Sequence, residues 1–156
     1  MESYQRYGPA LLRKAERLLQ SRDDALDVVQ GLFTDLLADG GEEPEFPYLY
    51  RAVTNRCLGL LRDEKNRRRL LERQAPALRG PVRTTFDDVV VGLDVLARLL
   101  DRVDEPTSEL LVMHFWDDMS QGEIAELTGV SRKTIVRRMA RLREELDRIL
   151  EPEGSR

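Results

Sequence analysis

Apolar residues fall three and four positions apart along most of this chain and seldom alternate, so the pattern predicts helices and no strands. The first helix carries Tyr4, Tyr7, Leu11, Ala15, Leu18 and Leu19, with Gly8-Pro9 read as an early turn or a helix start. Ser21 caps a second helix, Asp23 and Asp24 occupy its first turn where the macrodipole favours carboxylates, and Leu26, Val29, Phe33 and Leu36 form its apolar stripe. After the loop Asp39–Pro44, a third helix presents Phe46, Leu49, Val53, Cys57, Leu60 and Leu61 to a core. Arg51, Asn55, Arg56 and Arg62 lie on its other sides, and the helix is expected to run on through Lys65 to Arg73. Gln74–Thr85 holds two prolines and a glycine and has no apolar period, which predicts a linker. Helical order resumes at Asp88 with Val89, Leu93, Leu96, Leu100 and Val103, and Asp104-Glu105-Pro106 opens a further helix carrying Leu110, Leu111 and Phe115. The expected fold is all-α: two small helical domains, residues 1–73 and 88–156, joined by a linker at 74–87.

The most informative stretch is Ser120–Arg143, whose punctuation predicts a helix-turn-helix. Ser120 and Glu123 have capping-box spacing, Ala125 is small where a second helix must cross, Gly129 can supply a positive φ, and Ser131 caps the next helix. From there Ile135, Met139, Leu142, Leu146 and Ile149 form a buried stripe, with Lys133, Thr134, Arg137 and Arg141 on the opposite face. Ser131–Arg143 contains six basic residues and no acidic one, as a helix in a phosphate-lined groove requires. An ordinary helical hairpin with a solvated basic face is the alternative, but small residue, glycine and capped basic helix seldom coincide.

Charge changes the picture more than composition does. A formal net charge of −4 over 156 residues argues at first against nucleic acid. Its distribution argues the other way: residues 1–50 carry −5, 51–93 carry +5, 94–130 carry −7 and 131–156 carry +3. Two basic blocks alternating with two acidic ones suggest two nucleic-acid faces, each backed by an acidic surface. No apolar run reaches the roughly 18 residues of a membrane span and the N-terminus is charged, so a cytoplasmic protein without membrane partners is expected. Cys57 and His114 are each single, which leaves no internal disulfide and no cysteine- or histidine-based metal site. No phosphate loop, triad or metal spacing marks an enzyme, and no cofactor or small-molecule substrate is implied. Asp23-Asp24 and Asp117-Asp118 read as helix-cap and loop charges.

Two motifs resemble the extracytoplasmic-function (ECF) sigma factors of bacteria. Asp24-Ala25-Leu26-Asp27-Val28-Val29-Gln30-Gly31-Leu32-Phe33 is similar to that family's Asp-Ala-Glu-Asp-x-x-Gln-Glu-x-Phe motif. Tyr48-Leu49-Tyr50-Arg51-Ala52-Val53-Thr54-Asn55 with Arg62 is similar to its Trp-Leu-x-x-Ile-Ala-x-Asn…Arg signature. The likeness continues from Leu99 to Arg143. Departures are Leu26 and Gly31 for glutamates, Tyr48 for tryptophan, Gly59 for aspartate, Asp104 for proline, and Ser108 and His114 for arginines.

The resemblance implies that Leu26, Asp27, Gln30 and Phe33 bind core RNA polymerase. It implies that Tyr48, Tyr50, Arg51, Asn55, Arg56 and Arg62 take the minus-10 promoter element as a separated strand, and that Arg132, Lys133, Thr134, Arg137, Arg138 and Arg141 meet the minus-35 element. Cations along a backbone and planar rings for splayed bases suit the second role. Leu26, Phe33 and each tyrosine fit a core position equally well, and Asn55 suits a base edge or a backbone cap. The resemblance also admits an anti-sigma factor as inhibitor. The competing function is a helix-turn-helix regulator acting without polymerase, but Met1–Arg73 shows neither the ligand pocket nor the dimerisation helix such a protein would need.

Overall fold

In the computed structural model of the chain, residues 2–63, 68, 82, 83, 90, 91 and 93–151 are described. The chain divides into two compact units, Met1–Leu70 and Leu71–Arg156. The expected continuation of the third helix from Lys65 to Arg73, and most of the expected linker, lie outside the described residues.

The N-terminal unit is three mutually packed helices: α1 (Glu2–Leu19), α2 (Arg22–Asp39) and α3 (Phe46–Arg62). α1 begins well before the expected Gly8-Pro9 break and carries Pro9 inside it. Interior proline removes one backbone bond, but the first turn is held from elsewhere in the chain. The Glu43 carboxylate accepts from the Glu2 and Ser3 amides at 3.1 and 3.2 Å, and the Tyr4 ring meets Phe33 edge-on at 5.0 Å between centroids. Ser21 caps α2 as expected, its hydroxyl accepting from the Asp24 amide, and Gly40 ends the helix at φ 64°.

The core of this unit joins Leu11, Leu18 and Leu19 to Val28, Val29 and Leu32 and to Leu49, Val53, Leu58 and Leu61. On α2 the expected Val29 and Phe33 are buried, and the apolar face is wider than the expected stripe. Ala25, Val28 and Leu32 are buried, whereas Leu26 and Leu36 are half-buried, because α1 and α3 both pack on this helix and a single 3.6-residue stripe understates a two-sided contact.

Strands are present where none was expected. β1 (Val82–Arg83) and β2 (Val90–Val91) pair antiparallel, Val82 opposite Val91 and Arg83 opposite Val90, inside the region assigned to the linker and the next helix. A two-residue ladder is too short to leave an alternating pattern in the sequence. Helical order consequently resumes at Leu93 rather than Asp88, in α4 (Leu93–Leu100). Asp104 caps α5 (Glu105–Leu111), its carboxylate accepting from the Thr107 amide at 3.1 Å. α5 runs into a π-turn at Val112–Trp116, where the Asp117 amide reaches the Val112 carbonyl at 3.1 Å. α6 (Gln121–Thr128) and α7 (Arg132–Leu150) complete the unit. α4 and α5 both pack on α7, and their shared core is Leu96, Leu99, Leu111, Met113 and Phe115 against Ile135, Leu142, Leu146 and Ile149.

Candidate nucleic-acid interface

Local chemistry builds the α6–α7 corner. The capping box is reciprocal: the Ser120 amide donates to Glu123 Oε1 and the Glu123 amide to Ser120 Oγ, both at 3.1 Å. The Ser120 amide, with the Ser120 side chain adding to it, holds the Glu123 carboxyl below its ordinary range. At the far end Gly129, at φ 72°, donates to the Ala125 carbonyl at 2.9 Å, a conformation a side chain would strain. The Thr128 hydroxyl donates to the Ile124 carbonyl and accepts from the Val130 amide, stitching the turn. Ser131 then caps α7, accepting from the Thr134 amide at 3.3 Å while its hydroxyl donates to Thr134 Oγ1.

α7 is thereby fixed in rotation. Ile135, Met139, Leu142, Leu146 and Ile149 are buried, and Arg132, Lys133, Arg137 and Arg141 are exposed, with Thr134 and Arg138 half-buried. Val136 adds an exposed apolar side chain between the cations, 53% accessible. The six residues assigned to the minus-35 element thus lie on one helix and away from the core, although the Thr134 hydroxyl is already engaged by Ser131.

Two participants were missed in the sequence. A cavity of about 490 Å³ beside α7 is lined by Arg102, Val103, Asp104, Thr107, Arg137, Arg138 and Arg141. Behind it Glu145, only 3% exposed, meets Arg148, Arg141 and Arg102. The spacing of Glu145 from Arg141 and Arg148 is an ordinary helical pairing and could have been read. Arg102 could not, because it arrives from the turn after α4 in a segment whose charge is strongly acidic. Asp104 lines the same cavity with its carboxyl held below the usual range, chiefly by the Thr107 side chain, with the Thr107 amide and the Arg138 charge adding to it.

The N-terminal unit treats its assigned residues unevenly. Asp27 and Gln30 are exposed, Leu26 is half-buried, and Phe33 is buried beneath Tyr4. Phe33 nevertheless forms part of the floor of a surface groove of about 400 Å³ with Tyr4, Gln5, Gln30, Thr34 and Leu37, the last 63% exposed. Tyr48 is 56% exposed. Tyr50 is not available to a base. It is 9% exposed, and the buried Lys14 ammonium sits 4.0 Å from its ring centroid, so the ring is a core element and a cation–π partner. Arg51, Asn55, Arg56 and Arg62 are half-buried. Arg56 is in an ion pair with Asp35, and the Asn55 side-chain oxygen points into the protein without a hydrogen-bond partner. Among the described residues no group of His, Cys, Asp and Glu side chains could hold a metal ion, and no helix is long and apolar enough to cross a membrane.

The capped corner, the left-handed glycine and the outward basic face place the C-terminal unit in the helix-turn-helix class. Residues 93–146 match the family model described as sigma-70, region 4. Over those residues the unit is similar to a sigma-70 region 4 domain. RNA polymerase sigma factor SigF of Mycobacterium tuberculosis is similar to this chain, in strain CDC 1551 / Oshkosh and in strain ATCC 25618 / H37Rv alike. Identity is 37% over an alignment of 73 residues, and the match covers 40% of this chain. The chain spans 28% of the length of those relatives. The solved structure of the sigma factor RpoE in complex with the anti-sigma factor NepR from Bartonella quintana superposes with a TM-score of 0.48 at 20% identity, covering 97% of this chain and 96% of that one.

Proposed function

We propose that this chain is an ECF-type sigma factor that binds core RNA polymerase, recognises minus-35 and minus-10 promoter elements and assists transcription initiation in the cytoplasm. The observation that carries the reading is the region 4 match over 93–146 on a unit in which the second helix of the helix-turn-helix turns basic groups outward along its first three turns, with Val136 and Ala140 between them. Arg132, Lys133 and Arg137 are exposed there, and Arg138 and Arg141 line the neighbouring cavity. These cations supply the salt-dependent hold on duplex DNA and the side chains that reach base edges.

The second surface is the groove on the N-terminal unit. Gln30 and Phe33, with exposed Asp27 beside them, offer an amide, a ring and a carboxylate to a protein partner. That composition suits a partner helix with apolar and basic residues, and we assign it to core polymerase. Tyr48, Arg51, Arg56 and Arg62 are the residues left for the minus-10 strand, with Asn55 reaching it only after its side chain turns. Catalysis belongs to the polymerase, and the chain acts by binding. An anti-sigma factor, the further partner the resemblance implies, would act by covering either surface.

Run-off transcription with purified core polymerase tests the function. Selection of defined start sites from genomic fragments only when the chain is added supports it. A core enzyme whose start sites are unchanged by the chain contradicts it and leaves a helix-turn-helix regulator.

A further inference from the structure

Glu145 is a buried carboxylate among arginines on the DNA-reading helix, where a negative charge should be a handicap. Its Oε1 accepts from Arg148 Nη1 at 2.7 Å and lies 3.5 Å from Arg141 Nη2, while Oε2 lies 3.5 Å from Arg102 Nη1. Arg102 and Arg141 both line the cavity beside α7, and both stay about half exposed, at 45% and 57% of the side chain. Each guanidinium has five N–H donors, so a single carboxylate oxygen at 3.5 Å tethers the group by charge and leaves most of its donors unused by Glu145. Arg137 and Arg138 complete the lining, giving four guanidiniums against a single carboxylate, Asp104, which is committed to capping α5.

We propose that this groove is a phosphate-binding site and that Glu145 is its positioning residue, holding Arg102 and Arg141 to clamp one backbone phosphate of duplex DNA beside the base-reading face. The proposal rests on the DNA-binding reading of the C-terminal unit. A phosphodiester fits because its two non-bridging oxygens share one full charge and can each accept from an arginine fork. DNA is the source rather than a free anion because Arg137 belongs both to the groove and to the exposed basic face of α7, so a phosphate held here continues the same charged track. Preorganisation matters because two long side chains would otherwise lose rotamer freedom on binding.

The consequence runs against simple charge counting. Glu145→Gln makes the protein one unit more positive, yet it removes the carboxylate that orients two of the four arginines. The test is a fluorescence-anisotropy titration of the full chain against a labelled mixed-sequence duplex of about 30 base pairs, from low to moderate salt. Arg102→Gln, at an exposed position that the fold tolerates, is expected to weaken binding about five- to tenfold at low salt and to flatten the salt slope by about one unit, alike for every sequence. Arg102→Lys, which keeps the point charge, is expected to keep the slope. Glu145→Gln is expected to weaken binding in the same direction as Arg102→Gln.

If Glu145→Gln binds as well as wild type or better, the carboxylate is not a positioning group. If it fails to fold, Arg102→Gln decides the site alone. If Arg102→Gln leaves affinity and slope unchanged while Lys133→Ala weakens binding, the groove proposal falls and the DNA reading stands. If the wild-type chain binds no duplex even at low salt, both fall.

Discussion

The two units of this protein are held at their ends in different ways. In the C-terminal unit each cap of the helix-turn-helix comes from within four residues: Ser120 with Glu123, Gly129 with Ala125, Ser131 with Thr134. In the N-terminal unit the first turn of α1 is capped by Glu43, forty residues downstream, and steadied by the ring of Phe33. The cations follow the same division. On α7 they stand on an exposed face or line an open cavity, whereas on α3 they are half-buried and Arg56 is tied to Asp35. The helix-turn-helix presents an exposed charged face, and α3 keeps its arginines partly within the packing of its own unit.

Substitutions at the two tyrosines of α3 should break this comparison hardest. Tyr50→Ala removes a buried ring and the face on which the Lys14 ammonium rests, so a loss of about 3–5 kcal/mol in unfolding stability is expected in denaturant melts. Tyr48→Ala, at an exposed ring, should stay within about 0.5 kcal/mol of wild type and show its effect in promoter opening instead. Equal destabilisation by both would mean that α3 is rotated from the arrangement described.

Removing a local cap should be milder. Ser120→Ala is expected to lower the stability of the C-terminal unit by about 1 kcal/mol, measurable as a shift in the denaturation midpoint with an unchanged m-value. Glycines within helices of the N-terminal unit should shift stability the other way. A Cβ on Gly59 meets nothing within 4 Å, and one on Gly31 meets only Arg56 Nη1 at 3.5 Å, so Gly59→Ala and Gly31→Ala should each add up to about 1 kcal/mol. A loss at Gly31 would show that the Arg56–Asp35 pair needs that space.

Acid should produce the smallest effect, and it should appear in both units, because Glu43 at the first turn of α1 is lowered as well, chiefly by the Ser3 side chain. The carboxyls of Glu123 and Asp104 are held below their ordinary values by the amides and hydroxyls they cap. Groups lowered in this way contribute above the unfolded-state pKa and lose that contribution as pH falls through the folded one, below about pH 4. Glu123→Gln should flatten the acid limb of the stability profile; an unchanged limb would mean the capping box does not persist in solution.

The same division explains what could be read from sequence. The helix-turn-helix was legible to the residue, because capping box, left-handed glycine and second cap are local events and the apolar stripe of α7 faces a single core. The unbroken run of α1 through Pro9 was less so, since the partner that holds its first turn is distant, and the stripe of α2 was drawn too narrow because two helices cover it. A ladder of two residue pairs left no periodicity, and the π-turn falls where Thr107–Met113 are all buried, so that no face distinguishes it. Among candidate site residues, those on α7 came out on one outward surface. Tyr50 moved to the core because a Tyr at helical spacing carries no mark of which side it takes. Arg102 stayed invisible because its place beside Arg137 and Arg141 is a tertiary fact.

On the proposed function, the basic face of α7 reads promoter DNA only as part of a larger assembly, with the groove around Gln30 and Phe33 joining it to core polymerase. Titrating promoter fragments selected by run-off transcription, with and without core, by fluorescence anisotropy tests this directly. At physiological salt the acidic segments 1–50 and 94–130 oppose the small basic surfaces, so the chain alone should bind weakly. Core should bring nanomolar, sequence-specific binding, because the second DNA contact becomes intramolecular, and Asp27→Ala should abolish much of that gain without altering the binding of the lone chain. Nanomolar, sequence-specific binding by the chain alone would contradict the account and identify an autonomous regulator.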